Sequence, residues 1–479
     1  MTTTLNFFSR IEQTLRARPE QVCLVWPSVA GQSAIAHTGA TVLEQVRQIQ
    51  LRLRAQGLAL GQPVWLLLPV GPPLVAALLA VMALGAVPML PPAGVSGLSL
   101  LRLMRGSGGR VLAPDQPLPR RWLARLLGLK LLSFTKGDAP ATEPLLVQLV
   151  TPELPALVSH SSGSTGQPKV IRRGHAVLQA QHEALRVAFP PWTGQRDFPL
   201  FPNIILHNLA VGAVSILPAV PAGRLAQLDM ARIVAQLQAE RVETLTGNVF
   251  YFQRLLDHLR WQPASFPAVW AVGVGGSPVP EKLLHALRAS FPRAAVFVIY
   301  GSSEAEPIAI REVTAAPLDP RLGYVVGHPR PELECRLGGP LTPLQLPGGG
   351  QAEAGEIQVR GAHVAADSSG WLATGDIGYF DAQGRLVLTA RRGNDIAHNG
   401  VQHYQLEHLL HQVSGVARAA AKSTRKGFVV YVQGAVQPST VWRALIDAFP
   451  RVPILGVHHR HELPVDARHL SKVLYHRLS

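Results

Sequence analysis

The sequence predicts an α/β protein, and three patterns along the chain support that prediction. Residues 62–101 and 268–300 each have the pattern of strand, helix, strand, which is typical of a parallel sheet covered by helices. From about residue 320 to 390, short strands alternate with glycine-rich turns, which favours a small β-rich subdomain. We therefore expect a large N-terminal region of layered α/β sheets with a small β subdomain (1–390), followed by a smaller α+β domain (391–479).

The first of these stretches has no charged residue from 62 to 101, so a membrane span is the alternative interpretation. Its apolar run is interrupted by Gly-Pro-Pro at 71–73 and by Pro-Met-Leu-Pro-Pro at 88–92. The longest helix that these prolines permit, over 73–86, is too short to cross a bilayer. We therefore predict a strand, a buried helix and a second strand.

Two helix starts follow from capping signals. A helix over 41–57 places four aliphatic side chains on one face, and Thr41 and Glu44 have the spacing of a capping box. In the second strand–helix–strand stretch, Ser277 is the expected N-cap, with Pro278 just inside the helix.

Composition narrows the class of function. The chain has 479 residues and a formal charge of +15, but its arginines are scattered and no nucleic-acid-binding signature occurs. We expect a polyanionic small molecule as the partner, and no nucleic acid. Cys23 and Cys335 lie far apart, which fits a reducing compartment. Charges near the N-terminus argue against a signal peptide, so we expect a cytoplasmic protein without a membrane span.

The strongest chemical signal is the segment SHSSGSTGQPKVI at 159–171. Its glycines and hydroxyl side chains favour a loop whose donors wrap a polyphosphate, to which the lysine adds a positive charge. The Walker A spacing is absent, and a plain Ser/Gly linker is the alternative. The candidate phosphate-binding residues are Ser161, Ser162, Gly163, Ser164, Thr165, Gly166 and Lys169.

Five further segments follow that loop: GVGGSP (273–278), YGSSEAEP (300–307), GWLATGDIGYFDAQGRL (370–386), ARRGNDIAHNGVQHYQLEHLL (390–410) and LPVDARHLSKVLYHRLS (463–479). Together, and in this order over most of the chain, they resemble the superfamily of acyl- and aryl-CoA synthetases, peptide-synthetase adenylation domains and luciferases. The resemblance implies an enzyme that uses ATP and Mg²⁺ to activate a carboxylic acid as an acyl-AMP. It also implies that the C-terminal domain is mobile.

The resemblance assigns roles around the nucleotide. Tyr300, Ser303 and Glu304 are expected to stack on adenine, bond the α-phosphate and hold Mg²⁺, respectively. The other residues expected beside adenine are Gly275, Gly276, Ser277 and Gly301.

Three more residues take roles from the same resemblance. Asp376 is expected to accept both ribose hydroxyls, and Arg391 to contact the ribose. Lys472 is expected to bridge the substrate carboxylate and the α-phosphate, because a cation there offsets charge that develops in the transition state.

Two positions depart from the family's pattern. The acid that often follows Arg391 by two residues is Gly393 here, which could act as a pivot. Gly400 matches the loop glycine that approaches the acyl acceptor in CoA-forming members, but the usual lysine three residues earlier is Ala397. That departure puts thioester formation in doubt and leaves adenylation in place.

The substrate pocket is expected to be lined by residues 198–212, 246–250 and the segment after Gly275. No acidic residue lies between 198 and 212, which argues against a free amino acid as substrate. The aliphatic side chains there favour an apolar acid. His207 or Asn208 is the candidate polar contact, and we include His207 among the candidate catalytic residues.

Three phrases, at 86–105, 201–212 and 462–472, look most like fatty-acyl-AMP ligases and the β-lactone synthetases of olefin pathways. In a β-lactone synthetase, the hydroxyl of a 3-hydroxy acid displaces AMP, and the reaction needs no CoA. Transfer to CoA or to a carrier-protein thiol is the alternative. A degenerate nucleotide-binding protein is the alternative of another class, although it would be expected to lose the charged residues Lys169, Glu304, Asp376, Arg391 and Lys472, all of which are present.

Overall fold

The computed structural model describes residues 4–27, 34–92, 95–114, 124–133, 143–162, 168–220, 225–366, 369–466 and 470–478, without the side chains of residues 161, 162 and 168. The chain forms two compact units, residues 1–244 and 245–479. Both units combine helices and sheets, which confirms the predicted α/β class. The predicted boundary between residues 390 and 391 lies inside the second unit and stays a prediction.

The first unit contains these elements in chain order: α1 (Phe7–Ala17), β1 (Val22–Trp26), β2 (Ile35–Thr38), α2 (Gly39–Ala55), β3 (Pro63–Leu66), α3 (Pro72–Ala83), β4 (Val87–Met89), α4 (Gly97–Gly106), β5 (Arg110–Leu112), β6 (Lys130–Leu132), β7 (Pro155–Ser162), β8 (Pro168–Gly174), α5 (His175–Ala188), β9 (Arg196–Pro199), α6 (Asn203–Val211), β10 (Val214–Ile216) and α7 (Met230–Ala239). One sheet has the strand order β6-β5-β3-β4-β7-β8 and is parallel except for the antiparallel β7–β8 pair. The order β9-β10-β1-β2 runs through the other sheet.

The uncharged stretch 62–101 forms the buried unit that its sequence predicts. Strands β3 and β4 pair in parallel, and α3 connects them. Every residue from position 76 to 83 of α3 is buried, which explains why that helix is apolar on all sides. Within the described part of the chain, no helix has the length and apolar character that a membrane span needs.

Helix α2 buries the predicted aliphatic face, but it begins earlier than predicted. The Thr38 hydroxyl accepts a hydrogen bond from the Thr41 N–H, so Thr38 is the N-cap and Thr41 lies inside the first turn. Gly57 has φ +76° and follows the helix end, as expected for a residue that stops a helix. The capping prediction was wrong because a threonine three residues earlier offers the same hydroxyl.

The second unit contains, in chain order, β11 (Thr244–Asn248), α8 (Val249–Trp261), β12 (Ala271–Gly275), α9 (Glu281–Ser290), β13 (Ala295–Ser302), β14 (Ala305–Glu312), β15 (Tyr324–Pro329), β16 (Leu333–Gln345), β17 (Gln351–Gly361), β18 (Leu372–Phe380), β19 (Leu386–Arg391), α10 (His403–Gln412), β20 (Val416–Thr424), β21 (Gly427–Gly434), α11 (Pro438–Ala448) and β22 (Ile454–His459). Its main sheet has the order β16-β17-β18-β19-β15-β14-β13-β12-β11. The predicted β-rich segment is present as β15–β19, all antiparallel, and it continues the larger sheet through β15 and β14.

Strands β12 and β13 pair in parallel and α9 connects them, as predicted. The predicted N-cap is wrong: α9 begins at Glu281, and Pro280 is its N-cap residue. Prolines 278 and 280 explain the difference, because each disfavours helical backbone at the residue before it. Ser277 therefore lies in a bend ahead of the helix.

Residues after 391 form the predicted α+β arrangement. Strands β20, β21 and β22 make a three-stranded sheet that carries α10 and α11. Its side chains form a hydrophobic cluster of their own, which includes Leu406, Leu410, Phe428, Val430 and Leu445. These residues therefore have a core apart from the large sheet.

Candidate active site

Glycines lie at the carboxyl ends of the paired strands β12 and β13. A Cβ on Gly275 would lie 2.6 Å from the carbonyl oxygen of Ile299, and one on Gly301 would lie 2.8 Å from that of Ala305. Both distances are too short, so no larger residue fits without movement of the backbone. The close packing of the neighbouring main chain therefore requires glycine at both positions, and the adenine contact assigned to them stays a prediction.

Ser277 follows those glycines with an unsatisfied hydroxyl. Gly276 has φ +82°, which turns the chain directly after β12. The Ser277 Oγ is buried and has no hydrogen-bond partner among the described residues. A buried hydroxyl without a partner costs about 1–3 kcal/mol, so this atom fits a position that a polar ligand completes.

Tyr300, Asp376 and Arg391, which are far apart in sequence, meet at one carboxylate. The Tyr300 hydroxyl donates to Oδ2 of Asp376 at 2.9 Å, and Nη1 of Arg391 donates to Oδ1 at 2.6 Å. Burial, and then the Asp376 charge, raise the pKa of Tyr300 well above its usual value, so the hydroxyl remains a donor. The Asp376 carboxylate raises the pKa of Arg391. The structure thus brings together three of the predicted nucleotide-binding residues.

The turn that carries Asp376 is held on both sides. Gly375 has φ +78°, and its N–H donates to the carboxylate of Glu356 at 3.2 Å. Arg392 donates to the other oxygen of Glu356, and its N–H donates to the Gly375 carbonyl at 2.8 Å. The buried Glu356 therefore links the Asp376 turn to the segment that follows β19.

Ser303 and Glu304 form the turn between β13 and β14. The Glu304 N–H donates to Ser302 Oγ at 3.3 Å, and the Glu304 carbonyl accepts the Ala365 N–H at 2.7 Å. No group of three metal-binding side chains occurs in the described residues. A single carboxylate fits Mg²⁺ bound with phosphate and water, since Mg²⁺ takes most of its ligands from them in nucleotide sites.

Lys472 is held by two hydrogen bonds to Asp466. The Lys472 N–H donates to Oδ1 of Asp466 at 3.0 Å, and the Asp466 N–H donates to the Lys472 carbonyl at 2.9 Å. Val465 and Val473, which adjoin these two residues in the sequence, pair in the antiparallel direction. The lysine side chain is exposed, as a residue that approaches a ligand requires.

In the first unit, β7 and β8 flank the predicted phosphate loop. Ser161 pairs with Lys169, and Ser162 pairs with Pro168. The predicted residues Gly163, Ser164, Thr165 and Gly166 lie outside the described residues, as do the side chains of Ser161 and Ser162. The described backbone therefore gives an antiparallel hairpin with the predicted loop at its tip.

His207 and Asn208, the predicted polar contacts of the acid, lie on α6. The ring of His207 is 4.9 Å from that of His182, and its Nδ1 is buried without a partner among the described residues. Burial lowers the pKa of His207 to about 3. The Asn208 amide donates to Asp197 at 2.9 Å and Ser215 at 3.0 Å, so the core of the first unit uses both of its N–H groups.

Sequence reasoning missed two functional candidates beside Arg391. Glu356 holds the Asp376 turn, and His403 Nε2 accepts the Arg391 N–H at 3.0 Å. An acid on the buried face of β17 was a signal for the first. The four-residue spacing of His403 and Glu407 on a helix was a signal for the second.

Comparisons with known proteins show what this chain is similar to. A family model described as AMP-binding enzyme matches residues 11–367. An olefin β-lactone synthetase of Stenotrophomonas maltophilia (strain K279a) is 28% identical, with 98% of this chain and 96% of the relative covered. One from Xanthomonas campestris pv. campestris is 25% identical over 99% of this chain and 96% of the relative.

A solved structure is similar over the whole length. The O-succinylbenzoate coenzyme A synthetase of Bacillus subtilis, in complex with ATP and magnesium ion, superposes with a TM-score of 0.79. The two chains are 19% identical, and the match covers 99% of this chain and 100% of the other. At 19% sequence identity, this similarity shows only that the two proteins share a fold.

Proposed function

Because this chain belongs to the family of AMP-binding enzymes and is an adenylate-forming ligase, we propose that it uses ATP and Mg²⁺ to convert an apolar 3-hydroxy acid to its acyl-AMP, which then closes to a β-lactone. The observation on which the nucleotide part rests is the meeting of Tyr300 and Arg391 at the Asp376 carboxylate. The proposal of a β-lactone product rests on two olefin β-lactone synthetases that match this chain over nearly its full length.

In this proposal the nucleotide lies along the ends of β12 and β13. Adenine approaches the backbone of Gly275 and Gly276, and Ser277 gains the partner that it lacks. Asp376 accepts the ribose hydroxyls, for which its carboxylate has acceptor capacity beyond the bonds from Tyr300 and Arg391. Lys169 and the loop of 161–166 bind phosphate oxygens, as the sequence pattern predicts.

The first step joins the acid to the α-phosphorus. A carboxylate oxygen of the substrate forms the new P–O bond, the bond to the β-phosphate breaks, and pyrophosphate leaves. Lys472 offsets the negative charge that develops, and Ser303 donates to the α-phosphate. Mg²⁺ held by Glu304 supplies charge neutralisation at the departing phosphates.

The second step displaces AMP. The 3-hydroxyl oxygen attacks the acyl carbon of its own adenylate, the C–O bond to AMP breaks, and the hydroxyl proton passes to solvent. The product is a four-membered lactone. No second substrate enters, so the step requires neither CoA nor a carrier protein.

The environment of Ala397 favours the lactone over a thioester. Ala397 packs on a hydrophobic cluster that includes Ile377, Tyr379 and Ala390. This position, where the family's CoA-forming members carry a lysine, therefore faces apolar side chains. Thioester formation with CoA or a carrier protein is the second candidate, with Gly400 as the residue expected beside the thiol.

Pyrophosphate exchange measured without CoA tests the proposal. Labelled pyrophosphate should enter ATP with 3-hydroxy fatty acids and Mg²⁺, and mass spectrometry of the product should show the acid minus one water. An acyl-thioester formed only with CoA would favour the second candidate. Protein that binds AMP but exchanges with no fatty, 3-hydroxy-fatty or aryl acid would support the non-catalytic nucleotide-binding alternative.

Lys472→Ala separates catalysis from binding. We expect the exchange rate to fall about 10²–10³-fold, because the variant lacks the cation expected at the developing charge. The affinity for AMP should change little. Lys426→Ala, at an exposed lysine on the β20–β21 turn, is the matched control and should retain the full rate. Full exchange by Lys472→Ala would contradict the assigned role.

A further inference from the structure

A buried histidine–glutamate pair on α10 lies directly behind Arg391. His403 is fully buried and Glu407 is nearly so, one helical turn later. The His403 Nδ1 lies 3.0 Å from Glu407 Oε1, and its Nε2 lies 3.0 Å from the main-chain nitrogen of Arg391. Because a main-chain N–H only donates, Nε2 accepts, and the ring proton must be on Nδ1. The imidazole thus accepts a hydrogen bond from the Arg391 N–H and donates one to the Glu407 carboxylate.

Glu407 is also the acceptor for the C-terminal segment. The Tyr475 hydroxyl donates to both Glu407 oxygens at 2.9 Å, and the Ala421 N–H donates to Oε1 at 2.8 Å. Burial, followed by the Glu407 charge, raises the pKa of Tyr475 well above its usual value, so the phenol remains a donor. The rings of His403 and Tyr475 also meet edge to face, with centroids 4.9 Å apart.

The hydrogen-bonded group of His403, Glu407 and Tyr475 connects to two residues of the proposed active site. Arg391 bonds Asp376 through its side chain while its N–H is held by His403. Tyr475 lies three residues after Lys472 on the same short segment. One carboxylate therefore sets the position of the ribose-contacting strand end and of the chain beside the candidate catalytic lysine.

We propose that His403, Glu407 and Tyr475 form a positioning relay that fixes the Arg391 strand end and the Lys472 segment relative to each other. These residues act through Arg391 and Lys472 and do not contact substrate. The catalytic consequence rests on the proposed function, since it requires that Lys472 act in adenylation. The structural consequence, that the two segments are energetically linked, is independent of any activity.

Hydrogen exchange of the whole protein tests the structural consequence. In Tyr475→Phe, which loses only the hydroxyl, amide exchange should rise about tenfold in the peptide 470–478 and also in a peptide that contains the Arg391 amide. Tyr431→Phe is the matched control, because Tyr431 packs in the same side-chain cluster with its ring on His458. It should change neither peptide. A rise confined to 470–478 would overturn the relay.

A double-mutant cycle tests the catalytic consequence. Tyr475→Phe should lower kcat of pyrophosphate exchange about tenfold and leave KM for the acid within about twofold. In the Lys472→Ala background the same change should cost less than about twofold. Equal losses in both backgrounds would show a general structural role and overturn the coupling to Lys472.

Substitutions at His403 complete the test. Glutamine retains an acceptor for Arg391 and a donor for Glu407, so His403→Gln should keep exchange activity within about threefold of the parent. His403→Leu retains neither and should lose about tenfold. Equal activity of the two variants would contradict the relay. If the parent catalyses no exchange with any acid, the proposed function fails, and hydrogen exchange alone decides on the relay.

Discussion

In the first unit, His182 and His207 pack ring against ring, and the two nitrogens of His182 and Nδ1 of His207 have no hydrogen-bond partner among the described residues. In the second unit, both nitrogens of His403 and of His408 on α10 are bonded. A buried ring without partners fills volume and carries a desolvation cost. A ring bonded at both nitrogens also fixes the distance between two other elements. The difference indicates that His403 and His408 specify geometry, whereas His182 and His207 mainly fill the core.

The comparison predicts that groups bonded from several elements set the geometry of the second unit, and the loss of Asp376 gives the largest effect, which is on ligand binding. Asp376→Asn keeps the size and removes the charge that Tyr300 and Arg391 share. AMP affinity, measured by calorimetry, should fall about 10²-fold, because charge-assisted bonds to the ribose weaken. The melting temperature should change little. Asp447→Asn, at an exposed position on α11, is the control, and unchanged AMP affinity in Asp376→Asn would contradict the assignment.

His408 tests whether bonded histidines matter more to stability. Its Nδ1 donates to the Gly323 carbonyl at 2.8 Å, its Nε2 accepts the Glu281 N–H at 3.2 Å, and its ring stacks on Tyr324. His408→Phe keeps the stacking and leaves two buried main-chain groups unpaired. We expect a loss of about 2–4 kcal/mol in urea unfolding at pH 7.5. His182→Phe, measured alongside, should lose less, and a larger loss there would reverse the comparison.

The buried histidines of the first unit should also make stability depend on pH. Burial lowers the pKa of His182 to about 4 and that of His207 to about 3, from about 6.5 in an unfolded chain. The unfolded state therefore binds more protons between pH 6.5 and about 4, and stability falls as the pH decreases through that window. His182→Phe should reduce the difference in unfolding free energy between pH 7.5 and pH 5 by about 1–2 kcal/mol. An unchanged difference would contradict this account.

Three residues that the family resemblance selects lie together in the structure. Asp376, Tyr300 and Arg391 occur in a recognisable order, and the structure brings their side chains together. For Gly275 and Gly301 the structure gives a reason within the protein, because the carbonyl oxygens of Ile299 and Ala305 leave no room for a Cβ. The relay was not predicted, because His403 and Glu407 resemble an ordinary exposed helix pair until β20 and the C-terminal segment cover them.

Other details of the structure could not be predicted from the sequence, for local physical reasons. Serine is a residue type that favours the N-cap position, but the helix begins only at Glu281 because two prolines follow Ser277. The β-rich segment was predicted as a small subdomain because its strands are short, whereas only the register of β15 with β14 shows that it extends the larger sheet. His207 was chosen as a polar residue among aliphatic ones, and sequence alone does not reveal that it faces His182.

The packing of Ala397 bears on how such an enzyme could change its acceptor. The methyl group contacts the apolar cluster around Ile377, and Ile377 directly follows Asp376 in β18. A lysine introduced at 397 would replace a partly buried methyl group with a long side chain, whose stem would lie on this cluster and whose ammonium group would extend to solvent. The substitution would therefore change the surface beside the strand that carries Asp376 as well as the charge at position 397.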